Sequence, residues 1–128
     1  MKKYIGTKHV EAEPMTMGEA YEKNLLQAGI MPNESEKTKA GYHVKYEDGY
    51  ESWSPAEPFE KAYKVADIPL DRMIIEYDEL KQKINKLDAF LDSERFKTLD
   101  ERVKGLLSSQ YHIMIAYSIV LSERMRLM

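Results

Sequence analysis

The hydrophobic positions of this chain change period once, near residue 66. Downstream of that point Met73, Tyr77, Leu80, Ile84, Leu87 and Leu91 recur at intervals of 4, 3, 4, 3 and 4 residues, the heptad seam of one helix packed on another. Asp92-Ser93 interrupts the pattern. Thr98-Leu99-Asp100-Glu101 then has the Thr-x-x-Glu spacing of a capping box. It predicts a second helix with an answering seam of Val103, Leu107, Met114, Tyr117 and Leu121, which Gln110 interrupts. Each helix of about 20 residues spans about 30 Å, and the two fold back as an antiparallel hairpin. Ile113, Ile115, Ile119 and Val120 lie largely off that seam. A helix that is apolar on several sides is covered on several sides, so the pattern predicts a homo-oligomer built from dimers through the second helix.

Upstream the period is two. Tyr42, Val44 and Tyr46 alternate with His43, Lys45 and Glu47; Asp48-Gly49 turns the chain, and Tyr50, Ser52 and Trp53 return it, the signature of a β-hairpin. Residues 2–13 alternate loosely around Tyr4, Ile5 and Val10 and predict one more strand, with Gly6 as a bulge and Pro14 ending it. Thr16-Met17-Gly18-Glu19 is a capping box for a helix reaching Gly29, and residues 31–40 read as a polar loop. Ser54-Pro55-Ala56-Glu57 is a further capping box, with proline at the first helical position of a short helix through Phe59 and Tyr63. Trp53, Tyr42, Tyr46 and Tyr50 are expected to be structural and to pack the sheet onto the hairpin. The expected class is α+β: a small N-terminal antiparallel sheet with short helices over residues 1–66, then a two-helix hairpin over 67–128.

At 128 residues, 43% hydrophobic and 32% charged, the chain has material for a core and a well-solvated surface. Net charge is −3, which argues against coating a DNA duplex, since affinity for that polyanion comes from many neutralising cations. The absence of cysteine excludes disulfides and thiolate chemistry. No apolar run approaches the ~20 residues that span a bilayer, and no secretion signal follows Met1-Lys2-Lys3-Tyr4, so a soluble intracellular location is expected. Within this balance the arginines are unevenly placed. The first 64 residues hold nine lysines and no arginine, and all five arginines (Arg72, Arg95, Arg102, Arg124 and Arg126) belong to the hairpin. Arginine is the side chain whose planar fork of donors matches two phosphate oxygens at once.

Candidate chemistry is sparse elsewhere. His9, His43 and His112 lack metal-ligand spacing, and no nucleophile elbow, Walker loop or dinucleotide fingerprint occurs. Carboxylates such as Glu79, four residues before Lys83, fit solvated helix faces. No catalytic residue, metal or cofactor is therefore expected. The hairpin aromatics carry more meaning. Phe90 and Phe96 flank the turn near Arg95 and Arg102, and Arg124 lies seven residues after Tyr117. A flat apolar face beside a guanidinium is what a nucleotide requires, and a helix starting at Thr98 adds free N–H groups that attract phosphate.

The strings KKYIGTKHVEAEPMTMGEAY and GYHVKYEDGYESWSPAEPFEKAY resemble the front half of the phage anti-Thoeris sponge proteins, the first family of that name. LDAFLDSERFKTLDERVKGLLSSQYHIMIAYSIVLSERM resembles the helical hairpin those proteins share with the phage anti-CBASS cyclic-nucleotide sponges. The most specific parts are the Tyr-x-Asp-Gly-Tyr-x-Ser-Trp-Ser-Pro string and the hairpin turn. The resemblance implies a non-enzymatic protein in the cytoplasm of the bacterial host. Such a protein binds immune signalling nucleotides (cyclic ADP-ribose isomers, cyclic di- or trinucleotides), keeps them from their effectors and assembles from dimers into hexamers with pockets between subunits. Carried onto this chain, it implies ligand contacts from Phe90, Arg95, Arg102, Gln110, Tyr117 and Arg124. The competing reading is a small phage structural or adaptor protein that uses the hairpin as an interaction surface.

Overall fold

In the computed structural model, which describes residues 1–128, the elements run β1 (Glu11–Pro14), α1 (Met17–Glu22), β2 (Gly41–Lys45), β3 (Glu51–Pro55), α2 (Ala56–Ala62), α3 (Pro69–Leu91), α4 (Glu94–Lys97) and α5 (Glu101–Arg126). The class is α+β, and the chain divides into two units, Met1–Lys64 and Val65–Met128.

In the first unit the three strands form one antiparallel sheet in the order β1-β2-β3. The Asp48-Gly49 turn forms where alternation reverses. Gly49 adopts φ 91°, a left-handed backbone that a Cβ disfavours, and Asp48 Oδ1 accepts the Tyr50 N–H at 2.9 Å. Met15, Ala20 and Val44 are buried. A run of stacked rings, Tyr42 on Phe59 at 4.3 Å and Phe59 on Tyr63 at 4.9 Å, holds α2 against the sheet, and the Tyr42 hydroxyl donates to Glu60 at 2.8 Å. Trp53 donates its indole N–H to the Met15 carbonyl at 2.8 Å and lies over Gly41, where a Cβ would collide with the indole and the Ser54 carbonyl. Trp53 and Tyr42 thus find these partners inside their own unit.

Three expectations for this unit are corrected. The first strand covers only Glu11–Pro14. Glu11 pairs with Lys45, the last residue of β2, and beyond it the chain enters the Tyr46–Gly49 turn, closed by the Gly49 N–H on the Tyr46 carbonyl at 2.9 Å, so Val10 and the residues before it meet no strand. Tyr4 and Ile5 are 89% and 94% exposed. Next, α1 stops at Glu22 rather than near Gly29. Asn24 adopts φ 58°, and the N–H groups of Asn24 and Leu25 return to the carbonyls of Tyr21 and Ala20 at 3.1 and 2.9 Å, a Schellman closure with asparagine in the place glycine usually takes. Finally, Ser54 does not cap α2. It is a ladder residue opposite Tyr42, its hydroxyl donates to the Pro55 carbonyl at 3.2 Å, and Pro55 itself is the N-cap.

In the second unit α3 and α5 pack along their lengths. Asp71 closes the start of α3, where its carboxylate accepts the N–H groups of Asp67 and Ile68 at 3.2 Å each. Leu91 is the last residue of α3, where the Asp92-Ser93 break was read. The α3 seam is as expected, with Met73 and Ile84 buried and Tyr77, Leu80, Leu87 and Leu91 half-buried.

On α5 the seam differs. Leu107, Tyr111, Met114, Ser118, Leu121 and Met125, at intervals of 4, 3, 4, 3 and 4, are its inward residues, with Ser118 and Leu121 buried, while Val103 and Tyr117 are exposed. Ser118 is tolerated there because its hydroxyl donates to the Ile115 carbonyl at 2.7 Å, so burial leaves no polar group unsatisfied. No helix is long and apolar enough to cross a membrane.

Candidate ligand site on the helical hairpin

Phe90, the last residue but one of α3, is half-buried, with its ring edge-on to Phe96 at 6.2 Å. The corner between them is fixed by Ser93, whose hydroxyl donates to the Phe90 carbonyl at 2.6 Å and accepts the Phe96 N–H at 3.3 Å. That makes α4 a separate helical turn, which the sequence reading missed although Ser93 is a ready cap residue. Thr98 closes α4 instead of opening α5, and its hydroxyl donates to the Arg95 carbonyl at 2.7 Å. The cap of α5 is Asp100, which accepts the Arg102 N–H at 2.8 Å. The expected phosphate-attracting N-terminus at Thr98 is therefore overturned: Asp100 and Glu101 bring two carboxylates to the first turn, and negative charge already occupies the positive end of the helix dipole.

The five arginines fall into two groups. Arg126 presents Nε and Nη2 to Glu123 at 3.1 and 2.8 Å, and Arg72 donates to the Ala66 carbonyl at 3.1 Å. Arg95, Arg102 and Arg124 are exposed, and no carboxylate pairs with them. These three are the arginines implied as ligand contacts. A guanidinium that is not already bridged loses nothing within the protein when it turns to an anion.

Tyr117 donates its hydroxyl to the Glu76 carboxylate on α3. That hydrogen bond, with some desolvation and the Glu76 charge, holds the Tyr117 hydroxyl above the ordinary tyrosine range, while Arg124 pulls it back. Glu76 was not singled out from sequence, because nothing in the pattern of α3 shows which of its carboxylates faces α5. Gln110 is exposed and rests its amide on the Met114 sulfur at 3.7 Å.

Within a single chain these residues do not converge. Phe90, Arg95 and Arg102 are at the turn end, whereas Arg124 is 22 residues beyond Arg102, about 33 Å along α5 at the helical rise. Two shallow concavities lie in the first unit. One is lined by Lys8, His9, Tyr46, Glu47, Asp48 and Tyr50, the other by residues of the Tyr21–Ile30 segment, and neither includes any of the six. What joins three of the six is a stripe. Leu106, Gln110, Ile113, Tyr117, Val120, Arg124 and Leu127 recur at intervals of 4, 3, 4, 3, 4 and 3, and all are exposed. Leu106 is 72% exposed, Ile113 68% and Val120 52%. α5 thus carries two heptad seams, one packed on α3 and one open.

No group of three or more His, Asp or Glu side chains is disposed to hold a metal ion. No curated protein and no solved structure matches the chain. The hairpin itself, residues 68–127, matches the family model called Sequestin.

Proposed function

We propose that the protein is a non-enzymatic sponge, one that binds signalling nucleotides of a bacterial anti-phage defence and sequesters them from their effectors. The ligand class is a cyclic ADP-ribose isomer or a cyclic di- or trinucleotide, and the place of action is the cytoplasm of the host cell. The observation that carries this reading is the match of residues 68–127 to the Sequestin family model, since that family's name denotes sequestration and the match covers the element that holds every arginine. Unpaired Arg95, Arg102 and Arg124 support it, as does the ring of Tyr117 between Gln110 and Arg124 on one open stripe. Sequestration requires tight, stoichiometric contact and no general base. Assembly into dimers and then hexamers belongs to the same proposal and would cover Ile113, Ile119 and Val120, each more than half exposed.

Calorimetry against a panel of cyclic nucleotides, together with heating the purified protein and assaying the supernatant for released intact nucleotide, tests the proposal. One-to-one or one-per-dimer binding with unaltered ligand on release is the expected result. Turnover of the ligand, or no binding across the panel, refutes it. The open apolar stripe also favours a second reading, a structural or adaptor protein that docks another helix there. Capture of a partner protein with no nucleotide affinity is its signature.

A further inference from the structure

The β2–β3 ladder leaves the outer side of β3 without a partner. The Tyr46 N–H donates to the Tyr50 carbonyl and the Ala56 N–H to the Ala40 carbonyl. By the alternation of an antiparallel ladder, the backbone of Ser52 and Ser54 therefore faces β2, while that of Glu51 and Trp53 faces away. β3 is the last strand of its sheet, and neither the N–H nor the carbonyl of Glu51 or Trp53 finds a partner across that side. Pro55 stands at the same outward parity, where the ladder asks for no donor. An unpaired row of this kind is a template for a further strand.

The same unit also carries an extended segment with no sheet to join. Residues 1–10 belong to no element and make no backbone hydrogen bond, and Tyr4 and Ile5 are almost fully exposed. Lys2, Lys3 and Lys8 charge this arm, which has no carboxylate, whereas residues 47–60, which include the free edge, hold five carboxylates and no lysine or arginine. Among these, Glu47 has no ion-pair partner and Glu51 meets only His43, at 2.8 Å. We infer that the arm of one copy of the chain adds to the outer edge of β3 in a second copy, as a fourth strand of that copy's sheet.

Backbone pairing supplies the hold in such strand addition, and complementary charge selects the strand. The arm's own edge is a poor destination. Lys8 rests its ammonium over the Tyr46 ring, 5.4 Å from the centroid, so only the seven residues before it are free to travel. Passing from the β1 side to a place beyond β3 crosses three strand spacings, about 14 Å. That takes about four extended residues and leaves about three to pair. A neighbouring copy sets no such toll, and the exchange is a form of segment swapping between identical chains. This pairing is independent of the sequestering reading.

The chain has one tryptophan, and it lies on this edge, so its emission reports the pairing. Protein lacking residues 2–7, checked for unchanged circular dichroism and melting, is titrated with the synthetic peptide MKKYIGTKHV. A saturable shift of Trp53 emission is expected, with affinity several-fold weaker in Glu51→Lys. Only every second N–H of an added strand faces the edge. Peptide methylated on one alternate set of backbone nitrogens should therefore lose the shift, and peptide methylated on the other set should keep it. No shift, or equal effects of the two methylated peptides, overturns the strand pairing.

Mixing tests the occupant. Full-length Trp53→Phe, which keeps the arm and is silent in emission, should reproduce the shift when added in excess to the arm-less protein. The same variant without residues 2–7 should not. A shift given by the peptide but not by the full-length chain, or given equally by the arm-less variant, overturns the second copy's arm as the strand that fills this edge.

Discussion

Replacing Trp53 by alanine should unfold the sheet unit well before it affects any ligand contact. The indole does two things there: it covers Gly41 and it donates to the Met15 carbonyl at 2.8 Å. Removing a fully buried tryptophan costs about 3–5 kcal/mol. Trp53 is half-buried, so about 2 kcal/mol is the fair share for lost packing, and about 1 kcal/mol follows from leaving the carbonyl of buried Met15 without its donor. For a domain of this size each kcal/mol moves the melting temperature by about 4–8 °C, which places the Trp53→Ala transition more than 10 °C below wild type. Trp53→Phe keeps most of the ring and loses only the N–H, so its drop should be about a third as large. Thermal denaturation followed by circular dichroism reads both. If Trp53→Ala melted with wild type but no longer bound nucleotide, the indole would be a ligand contact and the packing argument would be wrong.

Three further outcomes are expected. Arg124→Lys should weaken nucleotide binding nearly as much as Arg124→Ala, because lysine keeps the charge but loses the fork and the flat face; a hydrogen bond to a charged group is worth about 1.5–3 kcal/mol, so tenfold is at stake. Arg72→Ala is the control, since Arg72 is engaged with the Ala66 carbonyl; an equal loss there would mean a diffuse field instead of a site. Asp100→Ala should destabilise the hairpin by about 1 kcal/mol through loss of its cap, seen as a lower urea midpoint, whereas Thr98→Ala should cost less than a cap because Thr98 does not open α5. Glu76→Gln should lower the Tyr117 titration point, since the Glu76 hydrogen bond is the chief cause of its upward shift. The sign follows from that shift: the folded state favours protonated Tyr117, so the Glu76 bond is intact below the ordinary tyrosine range and is lost as pH rises through the raised value. An ultraviolet titration of the two proteins that superimposed would remove Glu76 from the account.

Sequence pattern served well where one physical requirement dominated. The α3 seam is legible because helix packing demands apolar side chains at heptad spacing, and the β2–β3 hairpin because Asp48-Gly49 meets a conformational need few other pairs meet. Caps were read less well because several residues can compete for one terminus. Ser54 had a better use in the ladder opposite Tyr42, Thr98 closed α4, and Asp100, two residues on, took the α5 terminus with a charge that suits it. Counting hydrophobic residues failed on α5 for a related reason. Ser118 belongs to the seam because it satisfies itself on Ile115, and Tyr117, apolar enough to be assigned there, instead reaches Glu76 from the edge. For the candidate site, residue type identified the arginines, but only the fold shows that Arg72 and Arg126 are occupied while Arg95, Arg102 and Arg124 are free. Nothing in the contacts of one chain draws the distant members of the set together.

The way β1 joins the sheet bears on the order in which the first unit is assembled. β2 and β3 are linked by a tight turn, so their ladder closes a short loop, while Pro14 can meet Tyr42 only after everything from Met15 to Gly41 has been looped out. Loop closure grows costlier with length, and non-local pairing slows folding. The β2–β3 hairpin therefore forms early and leaves the outer edge of β2 unpaired, and β1 arrives last. Until it does, the Lys45-to-Gly41 edge is an open template for any extended strand, and the Trp53 indole lacks the Met15 carbonyl that completes its site. Conditions that slow the return of β1 expose that edge longest, which makes the moment before its docking the point in the life of this protein most vulnerable to aggregation.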